Sequence, residues 1–388
     1  MMNKMRYINI LIIISSIFGN VDEYISIIDQ NLLDGEFQDA HHIFSKAIRE
    51  YDASAKLYYI GAIISLRMDD LDEANRNFVK AIELDPKNID YRNSQMNLQE
   101  LKESITKAKK TFDNGLINDA IIEYENLTKK YTNNAIIFYN LGLIYRANEE
   151  YDFAVLNYEN ARDLNPFEKK YSLAIKSIAQ MSAKAGDDAY RHQEFESSIQ
   201  KYKKAISYFP KYTTAIFKLA RTYYKLKDYN NAEIFLIKGL IIDPKQEQSE
   251  RMLGDIYRTI GDNMQALEHY KKAILINKNY FQVLYSMGSL YLSNGNLKEA
   301  RDALHEAIEI EPTYSKGYGT LGTIEQELGN IDTAIKNYSK AVEYDVKAYD
   351  IHYRLSSAYN INKQYEDAKN SAKNSINIKR NYAPAYFE

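Results

Sequence analysis

Residues 253–257 read "LGDIY"; residues 141–145 read "LGLIY" and 287–291 read "MGSLY". A glycine, an acid and a tyrosine within five residues resemble a reacting site. A frame that recurs, however, points first to a repeat. Ala232, Ala266, Ala300, Ala334 and Ala368 stand 34 residues apart, as do Ala40 and Ala74, and Ala120 and Ala154. The step from Ala74 to Ala120 is 46, an excess of 12. The step from Ala154 to Ser198 is 44, an excess of 10, and Ser198 to Ala232 returns to 34. A period of 34 with small residues in fixed places marks stacked helix–turn–helix units.

Other columns keep the same spacing. Four residues after the small residue comes a large one, such as Phe78, Tyr124, Tyr158, Tyr202, Tyr270 or Tyr338. Three further on stands a second small residue, among them Ala81, Ala161, Ala205, Gly239 and Ala273. Pro86, Pro166, Pro210, Pro244 and Pro312 then close units, because proline lacks the N–H that a continuing helix needs.

On these residues the chain resembles the tetratricopeptide-repeat family over about residues 21–382. The resemblance implies an all-α, right-handed superhelical solenoid of about ten helix-turn-helix repeats. The units expected are 21–54, 55–88, 89–134, 135–166, 167–212, 213–246, 247–280, 281–314, 315–348 and 349–382, with 383–388 opening a further one. The two long steps read as first helices extended at their N-terminal ends in 89–134 and 167–212, since 87–100 and 167–179 lack breakers and space apolar residues helically. "LGDIY" is then structural: Gly254 lets two helices approach and Tyr257 packs between them. The chain's abrupt end, with no polar capping helix, suggests a piece of a longer reading frame.

Bulk composition excludes several classes. The chain has 388 residues and no cysteine, so thiolate catalysis, disulfides and cysteine metal sites are ruled out. A net charge of −3 argues against a general nucleic-acid binder. Lys4 and Arg6 precede a largely apolar run from Ile8 to Phe18, too short for the ~20 residues of a membrane span. Residues 1–20 therefore read as a signal peptide, implying export to a periplasm or cell envelope; a buried first helix or an uncleaved anchor are the alternatives.

No catalytic set is legible. "GYGTLG" (317–322) matches a dinucleotide fingerprint, but no strand precedes it and Gly322 is the repeat glycine. Gly317 and Gly319 are expected to open a gap in the groove wall. The six histidines lack ligand spacing, and His269 and His305 are expected to be exposed on second helices. No metal, cofactor or enzyme reading follows.

The resemblance implies that partners bind on the concave face, through inward positions of the first helices. Carried over, these positions are Lys184, Tyr190 and Arg191; Phe217, Lys218, Arg221, Tyr224 and Lys225; Arg251 and Arg258, flanking Asp255; and Tyr285. Residues 167–246 hold 15 Lys/Arg against 8 Asp/Glu, a net of +7, which leaves −10 for the rest. A basic centre between acidic ends suits an acidic peptide; the alternative is a solvated surface in a lysine-rich chain. The family's carboxylate-gripping set of Lys and Asn is missing, with Asn140 alone in place and Ile105 where Lys is needed. The reading is an exported, non-catalytic scaffold for a protein or peptide. The alternatives are the repeat half of a larger enzyme or sensor, and an envelope assembly factor that self-associates.

Overall fold

The computed structural model describes residues 20–386; the expected signal peptide lies almost wholly outside them. Among the described residues there are twenty α-helices and no strand. They are α1 (Val21–Leu33), α2 (Phe37–Glu50), α3 (Ala55–Arg67), α4 (Leu71–Leu84), α5 (Ile89–Asp113), α6 (Ile117–Lys130), α7 (Ala135–Ala147), α8 (Tyr151–Leu164), α9 (Lys169–Arg191) and α10 (Phe195–Tyr208). There follow α11 (Thr213–Lys225), α12 (Tyr229–Ile242), α13 (Glu247–Ile260), α14 (Asn263–Ile276), α15 (Phe281–Ser293), α16 (Leu297–Ile310), α17 (Ser315–Glu327), α18 (Ile331–Tyr344), α19 (Tyr349–Ile361) and α20 (Tyr365–Ile378). Ala383–Tyr386 forms one 3-10 turn.

Local chemistry sets the helix ends. Ser54, Asp70, Asn134, Asp228 and Asp262 accept a hydrogen bond from a backbone N–H in the first turn of the helix that follows, satisfying a donor with no intrahelical partner. Within each helix pair one turn residue takes a left-handed φ between 60° and 87°. Five of these residues are glycines; the other five are Asp69, Glu149, Gln193, Lys227 and Lys363. The turn geometry therefore persists where the sequence has no glycine to mark it.

The chain divides into two compact units, with the divisions inside α9 and α10. The first holds residues up to 184 together with 207–210; the second holds 185–206 and 211 onward.

In the first unit Tyr24, Ile28, Phe44, Leu57 and Ile64 form one core cluster, and Tyr124 and Tyr158 are fully buried further on. Here α5 runs 25 residues where α3 and α7 run 13. The left-handed Asp69, in the α3–α4 turn, accepts hydrogen bonds from Asn165 Nδ2 at 2.8 Å and from the Tyr171 hydroxyl. This joins the second helix pair to the start of α9.

In the second unit the repeating contact is a ring of the second helix against a small residue of the first. A Cβ added to Gly254 would lie 2.5 Å from the Tyr270 ring, and one at Gly186 or Gly322 would similarly meet Tyr202 or Tyr338. Those three rings are fully buried, each contributing about 2 kcal/mol by area. Glycine is required by this approach and not by its φ. Tyr257 is half-buried and donates its hydroxyl to Glu233, which with burial pushes its pKa up to about 12.

Two expectations are corrected. The "GYGTLG" segment lies within α17, and no gap opens there: the Ile308 and Ile351 side chains fill the space beside Gly317 and Gly319, 2.8 and 2.7 Å from where a Cβ would stand. His269 is not exposed. Its side chain is 13% accessible, its Nδ1 lies 2.6 Å from the buried Glu250, and its ring stacks on Tyr257. His305 is exposed as expected.

Candidate partner-binding site

In the second unit, α11 and α13 are successive first helices, and a pocket of about 300 Å³ opens between them. Phe217, Lys218 and Arg221 come to it from α11; Ser249 and Met252 come from α13, and Asp243 and Gln246 from the intervening turn. The Phe217 ring packs on α12, which has Gly239 where most repeats have alanine. A Cβ at 239 would lie 2.3 Å from the Phe217 ring, so the ring occupies that space.

The charges are unequal in kind. Lys218 Nζ lies 2.6 Å from Asp187 Oδ2, and Asp187 Oδ1 accepts from the Tyr202 hydroxyl at 2.7 Å. Burial works to raise the Asp187 pKa, but Lys218 and the Tyr202 hydroxyl outweigh it and hold the carboxyl below its usual value. Lys218 is therefore already committed. Arg221 is exposed, its guanidinium held 4.9 Å from the centre of the Tyr190 ring, and it makes no ion pair among the described residues. A guanidinium steadied on a ring keeps its planar donor fork free for a carboxylate.

The remaining expected residues divide between structure and solvent. Arg251 Nη1 pairs with Asp255 Oδ2 at 3.1 Å, and Arg258 Nη2 lies 3.9 Å from Asp255 Oδ1. Asp255 also accepts from the Tyr270 hydroxyl at 2.7 Å, so one carboxylate is shared between the two arginines while holding the second helix. Tyr285 packs edge-on against Tyr314, and the Tyr224 ring lies tilted against Tyr229. Arg191 is exposed and paired with Asp188; Lys225 is exposed at the end of α11. Lys184 is exposed and belongs to the first unit.

The inward-position argument overlooked Asp187 as a partner, along with Ser249, Gln246 and Met252. Asp187 had a signal: it follows Gly186 as Asp255 follows Gly254, two repeat periods later. Among the described residues no cluster could hold a metal ion, and no helix is long and apolar enough to cross a membrane.

Tetratricopeptide-repeat models match residues 181–256, 254–295, 281–314 and 320–369. Among solved structures, MamA is 27% identical, with a TM-score of 0.41, over 44% of this chain and 92% of that one. YrrB, described as a TPR protein with an unusual peptide-binding site, is 19% identical with a TM-score of 0.43, over 48% and 96%. PilW, described as a widely conserved type IV pilus biogenesis factor, is 14% identical with a TM-score of 0.46, over 54% and 97%. Between residues 181 and 369 the chain carries tetratricopeptide repeats.

Proposed function

We propose that this protein is a non-catalytic scaffold that holds an acidic peptide or helix of a partner protein on the first-helix face of its sixth and seventh repeats. The observation that carries the reading is Arg221: exposed, stacked on Tyr190, unpaired with any described carboxylate, and beside the apolar Phe217 and Met252. An apolar floor with one free bidentate cation fits an aspartate or glutamate next to a bulky apolar residue. Lys225 adds exposed positive charge at the end of the same helix. Lys218 acts mainly as part of the pocket wall, because Asp187 already holds it, and Arg251 and Arg258, outside the lining, are engaged by Asp255. The reading includes export, on the N-terminal sequence pattern alone.

Selection from a random peptide library on the purified chain tests this. Recovered peptides should be enriched in Asp and Glu flanking a large apolar residue, and should lose binding to the Arg221→Glu variant. Recovery of neutral or basic peptides, or indifference to Arg221→Glu, would refute it.

A further inference from the structure

A second cavity, of about 390 Å³, lies within the first unit and shares no residue with the pocket on α11. Its walls are apolar: Leu66 of α3, Phe78 of α4, and Leu98 and Leu101 of α5. Its mouth is polar, with Arg67 and Asn97 on one side and, on the other, Lys130 at the end of α6 and the α6–α7 turn, residues 131–134.

This cavity is a product of the long step. The first 12 residues of α5, absent from a 34-residue unit, supply Ser94, Asn97 and Leu98 to its lining. The extra turns are anchored on α3, where the Tyr91 and Tyr59 rings stack at 4.8 Å and the Tyr59 and Ser94 hydroxyls are 3.3 Å apart. The space beyond this anchor is left unfilled.

One cation of the lining is left without a carboxylate partner. Arg67 is exposed at the mouth and makes no ion pair among the described residues, whereas the other cation there, Lys130, is paired with Glu100. The volume falls within the range of about 300–1,000 Å³ usual for ligand sites.

We propose that the cavity binds one bulky apolar side chain from an acidic segment of a partner protein. The side chain fills the space between Phe78, Leu98 and Leu101. A neighbouring carboxylate of the segment meets the Arg67 guanidinium. Charge selects the occupant: a basic segment with the same apolar residue would face Arg67 and Lys130 at the mouth.

The chain contains no tryptophan, so the emission of a tryptophan peptide reports the peptide alone. The probes are acetyl-Asp-Trp-Asp-amide and acetyl-Lys-Trp-Lys-amide, titrated with the full chain carrying Arg221→Gln, so that the α11 pocket is disabled. The acidic probe should give a saturable blue shift, and the basic probe should bind at least tenfold more weakly. Arg67→Gln should weaken the acidic probe about tenfold, and Asn97→Phe, an exposed position at the mouth, should abolish the shift; unchanged circular dichroism shows that both variants fold. The proposal is overturned by no saturable shift, by equal binding of the two probes, or by a shift that survives both substitutions.

Discussion

Lys218 and Asp187 stand 2.6 Å apart, on successive first helices, and each is about one-third accessible. This contact lowers the positive charge the α11 pocket can offer. Asp187→Asn should therefore release Lys218 and strengthen binding of an acidic peptide several-fold. The cost in stability should stay below about 1 kcal/mol, because the pair is partly solvated. Asp187 has a lowered pKa, so its contribution is present above the unfolded value of about 4 and lost as pH falls through the folded value. The Asn variant should lose that part of the acid limb, read by thermal unfolding between pH 2 and 7.

Gly254 and Tyr270 are matched in size. Gly254→Ala places a methyl group 2.5 Å from the ring and should cost about 2 kcal/mol. The sixth repeat accommodates alanine there by pairing Ala220 with Leu236. Tyr270→Leu should accordingly relieve part of the Gly254→Ala penalty, so that the double variant is more stable than the sum of the single variants predicts. Strict additivity in urea unfolding would contradict the packing account.

Glu149 is exposed in the α7–α8 turn with φ +62°. A left-handed backbone strains a side-chain-bearing residue, although glycine also loosens the unfolded chain. Glu149→Gly should raise stability by about 0.5–1 kcal/mol, measured by chemical denaturation.

Asp69 in the first unit has a raised pKa: burial dominates over the hydrogen bonds from Tyr171 and Asn165 and the charge of Lys170. Its ionised form is the destabilising one, so the fold loses stability as pH rises from about 4 through the raised value. Asp69→Asn keeps an acceptor for both donors and suits the left-handed turn. The variant should be more stable at pH 7 and flatter in its pH dependence above 4, followed by melting temperature.

The 34-residue spacing and the prolines made the helix pairs legible, because each column follows from a packing demand repeated in every unit. The left-handed turns were only half legible: Gly35 and Gly329 announce them, whereas Gln193 and Lys227 adopt the same φ under constraint from the flanking helices. The candidate site was less legible still. Inward positions gave Phe217, Lys218 and Arg221, but Asp187, on the preceding first helix 31 positions before Lys218, showed itself only through its repeat equivalence to Asp255. His269 read as a surface residue because its partner, Glu250, lies 19 positions earlier on the facing helix.

The most direct measurement is the affinity of one acidic, apolar-anchored peptide for the wild-type chain, Arg221→Gln and Lys201→Gln, by fluorescence anisotropy at low and physiological salt. Lys201 is an exposed cation on α10, so the two variants lose the same charge. The account predicts at least a tenfold loss for Arg221→Gln and little change for Lys201→Gln at physiological salt. Equal effects of the two substitutions would show that only net charge matters, and would contradict a pocket built around Arg221.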